Sequence, residues 1–143
     1  MRITTRGRYA LRASLALAKM EQNGGPVSIN SLSETENISS FFLEQIFFKL
    51  RKAGIVSSIR GPGGGFRFAR KLDELTVKHI LDAAGEEIDL TFCDKQEDEC
   101  DRIGGCLTHH ILEDVHNLIK NYFSEITLAS ILEKHGGIST LRD

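Results

Sequence analysis

Apolar residues recur at intervals of three and four in the first third of the chain, the spacing that places them on one helical face. The pattern predicts a helix over residues 6–22 and a short helix over residues 31–36. Asn37 tolerates the left-handed conformation that ends a helix, and Ser39 is a suitable N-cap for a third helix running to Ala53. Two helices joined by so short a turn are typical of a helix-turn-helix motif.

Beyond the third helix the pattern changes to that of a β-hairpin. Residues 55–59 (IVSSI) and 66–68 (FRF) predict two strands, and residues 61–65 (GPGGG) predict a flexible tip between them. Three arginines flank this ribbon, namely Arg60, Arg67 and Arg70. We interpret the ribbon as a wing, thin enough to approach DNA beside a recognition helix and to contact its phosphates.

The second half of the chain predicts further helices around an acidic loop. The helical spacing covers residues 75–84, 107–122 and 128–134. Residues 85–105 show no sustained period, so we interpret them as a loop. The predicted fold class is mainly α with a small β-hairpin wing. We expect a winged helix-turn-helix domain at residues 1–72, followed by a second part at residues 73–143.

Charge is distributed unevenly along the chain. The net charge of −2 combines +8 in residues 1–72, from twelve Lys or Arg and four Asp or Glu, with −10 in residues 73–143, from six and sixteen. A basic half suits a polyanion such as DNA, and an acidic half stays away from one. The apolar run near the N-terminus is interrupted by Arg12 and is too short to span a membrane. No signal-peptide pattern follows it, so we expect a cytoplasmic protein without membrane association.

All three cysteines lie within fourteen residues, in the stretch CDKQEDECDRIGGCLTHH at residues 93–110. Cytosolic thiols stay reduced, so this clustering indicates metal or redox chemistry rather than disulfides. The paired Cys-x-x-Cys motifs of structural zinc sites are absent, whereas ligands spread along a loop suit an iron–sulfur cluster. Three thiolates and one imidazole would complete a set of four ligands within this loop.

The residues alone leave several alternatives open. The cysteines also fit a zinc site, a thiol-based redox switch, or three reduced residues in an acidic loop. An electron-transfer protein would hold a cluster too, but it would need neither the basic half nor the wing. No histidine stands in a sequence context typical of a catalytic nucleophile or base, so we expect a protein that is not an enzyme.

Three stretches together resemble one known family. They are MRITTRGRYALRA at residues 1–13, ISSFFLEQIFFKLRKAGIVSSIRGPGGGF at residues 38–66 and CLTHHILEDV at residues 106–115. They are similar to the IscR/NsrR/RirA family of bacterial winged helix-turn-helix transcription regulators, and the similarity runs in order along the whole chain. It implies an iron–sulfur cluster-dependent repressor of iron–sulfur biogenesis or stress genes. It also implies a homodimer on double-stranded DNA, in which the long helix at residues 107–122 packs against its twin.

The same resemblance implies a ligand set in the loop at residues 93–109. The sequence CLTH matches the IscR branch, in which three cysteines and this histidine hold a 2Fe-2S cluster. The implied metal ligands are Cys93, Cys100, Cys106 and His109. The first gap between cysteines is one residue longer than in the IscR pattern. The alternatives are a 4Fe-4S sensor of nitric oxide or iron in the same family, and a thiol- or zinc-dependent redox regulator.

The resemblance further implies which residues contact DNA. Glu44, Gln45 and Arg60 match family positions that face DNA, and Phe41 stands where the family has a small hydroxyl residue. Arginines at the N-terminus, including Arg6, are expected on phosphates. The residues expected to bind DNA are Arg2, Arg8, Ser39, Phe41, Glu44, Gln45, Lys49, Arg60, Gly63 and Gly64.

Overall fold

The computed structural model describes residues 2–90, 93, 100–102 and 104–136. In chain order its elements are α1 (Thr5–Glu21), α2 (Ile29–Glu36), α3 (Ser40–Lys52), β1 (Val56–Ile59), β2 (Gly65–Phe68), α4 (Val77–Ala83), α5 (Leu107–Glu125) and α6 (Leu128–His135). The predicted fold class, mainly α with a small β-hairpin wing, is confirmed. Much of the predicted acidic loop, including residues 94–99, lies outside the described residues.

The turn between α2 and α3 forms as the sequence predicts. Asn37 adopts the left-handed conformation, with φ 52° and ψ 47°, and ends α2. The Ser39 hydroxyl accepts a backbone hydrogen bond at 3.2 Å and caps α3. α2 itself begins at Ile29, two residues earlier than predicted. Its start is set by the Ser28 hydroxyl, which accepts a hydrogen bond from the Ser31 amide at 3.1 Å.

One hydrophobic core surrounds α1, whose buried face consists largely of small residues such as Ala10 and Ala13. α2, α3, α4 and α6 contribute Leu32, Leu43, Ile46, Phe47, Leu50, Ile80 and Leu128 to this core. The Leu128 amide also donates to the Leu75 carbonyl at 2.8 Å, which attaches the start of α6 to the segment before α4. The helix-turn-helix and the helices α4 and α6 therefore share a single core.

The hairpin is attached to the segment that precedes α2. β1 and β2 pair antiparallel, with Val56 opposite Phe68. The Phe66 amide donates to the Val27 carbonyl at 2.8 Å, and the Val27 amide donates back at 2.9 Å. The Phe66 ring lies 4.9 Å from the ring of buried Phe47 in α3. These contacts fix the hairpin beside α3.

α5 packs against α4 on one side and leaves an apolar stripe on the other. The stripe comprises Leu107, Ile111, Val115, Leu118 and Tyr122, with exposed fractions from 38% to 79%. Their spacing places them on one helical face. Exposed apolar patches of this kind mark sites of interaction. Among the described residues, no helix is long and apolar enough to cross a membrane.

A buried carboxylate joins the start of α1 to the segment after α4. Glu86 is 5% exposed and accepts hydrogen bonds from the Thr4 amide, at 2.9 Å, and from the Thr4 hydroxyl. Thr4 is also the N-cap of α1, with its hydroxyl accepting from the Gly7 amide at 3.2 Å. Negative charge at a helix N-terminus is favourable. Glu86 therefore holds the first turn of α1 in place.

Replacing Gly7 with alanine is expected to lower the free energy of unfolding by about 1–2 kcal/mol. A new Cβ would lie 2.6 Å from Glu86 Oε2, and the carboxylate cannot move without breaking its bonds to Thr4. At an unhindered helix position the same change would stabilise by about 0.5–1 kcal/mol. Urea denaturation measures whether Gly7→Ala lowers or raises the free energy of unfolding. The control is the same substitution made in a Glu86→Ala protein, where the loss of stability should be smaller because the carboxylate is absent. A Gly7→Ala protein more stable than the wild type would contradict the close contact.

Candidate nucleic-acid interface and metal site

α3 presents a row of uncovered side chains to solvent. Phe41, Glu44 and Gln45, three of the residues predicted to contact DNA, are all exposed. Phe48, which the sequence analysis did not single out, is also exposed on this face. Its signal in the sequence is its position seven residues after Phe41, which corresponds to two helical turns. The face combines polar groups, which can hydrogen-bond to base edges, with aromatic groups.

Cations lie beside this face of α3. A guanidinium nitrogen of Arg6 donates to the Gly85 carbonyl at 3.0 Å. A Cβ atom on Gly85 would lie 3.4 Å from Lys49 Nζ and 3.5 Å from an Arg6 nitrogen, so both side chains lie against the same point. Arg2 and Arg8 are exposed at this end of α1. The four side chains supply the positive charge that phosphates attract.

The sequence predicts a flexible tip for the wing, and the structure shows that the backbone geometry of the tip also requires glycine. Gly61 and Gly63 have φ values of 97° and 74°. A Cβ atom on Gly64 would lie 2.2 Å from the carbonyl oxygen of Ile59. Arg60 is exposed at the start of the turn. The tip is therefore thin and presents backbone and one arginine to solvent.

The three cysteines all fall among the described residues, and no disulfide joins them. Cys100 is exposed, whereas Cys93 and Cys106 are half-buried. Cys106 occupies the N-cap position of α5, but its side chain makes no capping hydrogen bond. Because a helix N-terminus carries positive partial charge, it favours an anionic metal–thiolate group at this position.

His109 lies in the first turn of α5 with its side chain almost fully buried, at 9% exposure. Its Nδ1 atom is buried and has no hydrogen-bond partner among the described residues, and its Nε2 atom lies 3.7 Å from Glu113 Oε2. A buried polar atom without a partner costs about 1–3 kcal/mol, so a ligand at this nitrogen would remove that cost. The chemistry and burial of His109 therefore fit a metal ligand, whereas the adjacent His110 is exposed.

The predicted metal ligands are not assembled into a complete site. Within the part of the chain that the structure describes, no group of three or more His, Cys, Asp or Glu side chains is arranged to hold a metal ion. Cys106 and His109 both lie at the start of α5, and Cys93 and Cys100 precede it on the incompletely described segment. The donor set of three thiols and an imidazole nevertheless fits an iron–sulfur cluster.

A cavity of about 480 Å³ lies between α4, the segment after it, and α5. Sequence reasoning did not identify it. His109 and His116 line the cavity, and each has a buried Nδ1 atom without a hydrogen-bond partner among the described residues. The spacing of seven residues between the two histidines could have indicated from the sequence that they share one face of the helix. Glu86 lines the same cavity, so the surroundings of His109 are continuous with the start of α1.

Comparison with known proteins gives a consistent result. A family model described as Rrf2, iron-dependent transcriptional regulator, matches residues 3–134. The chain is 42% identical over 132 residues to the HTH-type transcriptional regulator IscR of Aliivibrio salmonicida (strain LFI1238), covering 92% of this chain and 77% of that protein. It is 40% identical over 132 residues to the IscR of Serratia proteamaculans (strain 568), covering 92% and 79%.

Solved structures agree with the sequence matches. The structure of T. potens IscR has a TM-score of 0.77 at 28% identity and covers 100% of this chain and 93% of that one. The structure of CymR (YrzC), the global cysteine regulator of B. subtilis, has a TM-score of 0.74 at 31% identity and covers 94% and 98%. The exposed face of α3, the basic end of α1 and the wing are thus the parts of a winged helix-turn-helix regulator, and the chain belongs to the Rrf2 family of iron-dependent transcriptional regulators.

Proposed function

We propose that this regulator binds its DNA sites under the control of a 2Fe-2S cluster held by Cys93, Cys100, Cys106 and His109. The observation that supports this most directly is the buried Nδ1 atom of His109, which lacks a hydrogen-bond partner among the described residues. Three thiolates and one neutral imidazole complete four ligands, and a weaker imidazole ligand suits a site that loads and unloads. The resemblance of the sequence CLTH, at residues 106–109, to the IscR pattern supports a 2Fe-2S cluster over a 4Fe-4S cluster.

When bound, the cluster would supply a group whose presence and oxidation state respond to iron supply, oxygen or nitric oxide. The exposure of Cys100 leaves the site open to small molecules from solvent. Binding of the cluster by the three cysteines and His109 would move the start of α5, where Cys106 and His109 lie. The chain would thereby convert ligand binding into a shift of one helix.

The route from α5 to DNA runs through the cavity between α4 and α5. His109 and Glu86 line that cavity, and Glu86 holds Thr4 at the N-cap of α1. The first turn of α1 also carries Arg6, which lies beside Lys49 of α3. A shift of His109 would therefore reach the phosphate-binding side chains. Such coupling requires that the ligand bind the two arrangements with different affinity.

On the DNA side, α3 would enter the major groove and the wing would lie along the backbone. Gln45 is suited to two hydrogen bonds with adenine, and Arg60 to guanine or to a narrow minor groove. Glu44 can accept from the cytosine amino group and rejects sites that place a phosphate or thymine oxygen near it. Phosphate and backbone contacts would come from Arg2, Arg8, Ser39, Lys49, Gly63 and Gly64, next to the base contact of Phe41.

The regulator would act as a homodimer through the apolar stripe of α5. The stripe, Leu107 to Tyr122, is the largest set of uncovered apolar side chains on any one described helix. Packing α5 against its twin would bury both stripes at once, because a twofold contact uses the same surface on each chain. The two recognition helices would then face half-sites about one turn of DNA apart.

Purification without oxygen tests this proposal. The protein should be red-brown, with about two iron and two sulfide per chain, and the loaded and cluster-free forms should differ at least tenfold in affinity for a regulated operator. Colourless protein holding one zinc per chain would contradict the cluster. Equal affinity of the two forms at every site would contradict its control of DNA binding.

A thiol-based regulator is the second candidate, because the structure of CymR is also similar to this chain. Cys100 is exposed, as a redox-sensitive thiol must be. This candidate predicts colourless protein whose DNA affinity changes on treatment with peroxide and returns on treatment with a thiol reductant. The iron content of the anaerobic protein separates the two candidates.

Replacement of Gln45 with alanine is expected to weaken operator binding by about 1–3 kcal/mol and to relax the choice of base at one position. Replacement of Arg8 with alanine should weaken binding to all sequences and reduce the slope of log affinity against log salt by about one. Gln45 and Arg8 are both exposed, so neither change should disturb the fold. Fluorescence anisotropy on operator and scrambled duplexes, at several salt concentrations, measures both effects. An unchanged salt slope for Arg8→Ala would remove it from the phosphate contacts.

A further inference from the structure

The four phenylalanines of α3 divide into two kinds. Phe47 is fully buried, and Phe42 packs edge-on against Tyr9 with ring centroids 5.4 Å apart. Phe41 and Phe48 are 71% and 56% exposed. Core packing therefore accounts for the first pair and leaves the second pair unexplained.

Phe41 and Phe48 lie in one row with Gln45. Residues four and seven apart share a helical face, so the polar side chain stands between the two rings. Both rings, with Gln45, line a concavity of about 450 Å³ on the surface. The rise of 1.5 Å per residue separates Phe41 from Phe48 by about 10 Å along the helix.

The surroundings of this row carry more positive than negative charge. Arg6, Lys49 and one carboxylate, Glu44, line the same concavity, and the Arg51 guanidinium lies 5.8 Å from the centre of the Phe48 ring. The three cations outnumber the single carboxylate, so the surface favours an occupant that presents apolar groups beside negatively charged groups. The DNA major groove does so, because the thymine 5-methyl group projects into it between two rows of phosphates. The apolar surface of a protein partner would not need this basic rim.

We propose that Phe41 and Phe48 are specificity-determining residues that contact thymine 5-methyl groups in each half-site. The inference rests on the proposed DNA-binding function and specifies the bases that the recognition helix selects. Two rings about 10 Å apart match bases about three steps apart at 3.4 Å per step. Gln45, between them, is suited to adenine. The preferred half-site thus places thymines on both sides of an A·T pair.

The test removes single methyl groups from DNA. The operator is first selected from random duplexes with the full-length protein, in the loaded and cluster-free forms. Deoxyuridine, which lacks the methyl group but keeps the hydrogen bonds of thymine, then replaces each thymine in turn. Wild-type affinity should fall about fourfold at each of two thymines per half-site.

Matched variants assign the loss to the two rings. The double variant Phe41→Ser/Phe48→Ser should bind thymine and deoxyuridine duplexes equally, whereas Phe41→Leu/Phe48→Leu should keep most of the discrimination. Both positions are exposed, so thermal unfolding should be nearly unchanged. Indifference of the wild type to every deoxyuridine, or the same loss in the serine variant, would overturn the assignment.

The outcomes separate this inference from the proposed function. Enrichment of no sequence by either form of the protein would refute sequence-specific binding, and the inference would fall with it. An enriched operator that tolerates deoxyuridine everywhere would refute the inference alone. If the serine variant instead changes the oligomeric state and not the thymine preference, the row is a protein contact and the assignment is wrong.

Discussion

Replacement of His109 with alanine should yield protein that has lost most of its iron and sulfide, whereas His110→Ala should retain both. His109 is buried in the first turn of α5 with Nδ1 unpartnered among the described residues, and His110, one residue later, is exposed. Loss of even a hydrogen-bond partner of a metal ligand lowers metal affinity by about 10–100-fold, so loss of a ligand should exceed about 100-fold. Iron, acid-labile sulfide and the visible spectrum measure the result.

Two further variants test whether the loss of iron and sulfide comes from the loss of a ligand. Cys106→Ser should also remove the cluster, and His109→Cys should restore four ligands with a changed spectrum, because a thiolate replaces the imidazole. Thermal unfolding of the cluster-free proteins separates ligand loss from misfolding. If His109→Ala keeps about two iron per chain with an unaltered spectrum, His109 is not a ligand and the fourth ligand lies elsewhere.

The local chemistry of the helix-turn-helix could be predicted because each signal acts within a few residues. Asn37 ends α2 and Ser39 caps α3 through bonds to their immediate neighbours. The sequence predicts the start of α2 two residues too late, because Ser28 and Ser31 are both suitable caps three residues apart. The structure selects Ser28, whose hydroxyl accepts from the Ser31 amide.

Contacts between distant parts of the chain could not be predicted, because no local sequence pattern indicates them. Glu86 and Thr4 are 82 residues apart, and nothing near either residue indicates their hydrogen bonds. Glu86 looks like one acidic residue among many, and only its burial in the fold distinguishes it. For the same reason the metal ligands stay a prediction: Cys93 and Cys100 are related to His109 through a segment that local patterns do not constrain.

Periodicity predicted the α5 helix but not the role of its faces. Leu107, Ile111 and Leu118 recur as the residues of a core-facing stripe do, yet all three are exposed. The opposite side carries His109 and His116, whose buried nitrogens line a cavity. Apolar residues at helical spacing indicate that one face of a helix becomes buried. The spacing does not indicate whether that face packs against the same chain or against a second copy.

If the proposed homodimer forms through α5, replacement of Leu118 with aspartate is expected to yield a monomer and to lower operator affinity by more than about 100-fold. Leu118 is 69% exposed in the single chain, so the change should leave the chain folded. In a twofold dimer the substitution occurs twice, and it would bring two carboxylates into an apolar contact. A dimer gains affinity because one bound half-site holds the second recognition helix near the other, and a monomer loses that gain.

Ser124→Asp is the matched control, because it adds the same charge to an exposed position on the other side of α5. Sedimentation equilibrium gives the oligomeric state, and titration of full and half operators gives the affinities. Leu118→Asp should bind a half-site about as well as the wild type and lose only the advantage of the full operator. A Leu118→Asp protein that remains dimeric would show that another surface joins the chains. A monomeric wild type that binds each half-site of the full operator no more tightly than an isolated half-site would contradict the homodimer itself, since the two half-sites would then be filled independently.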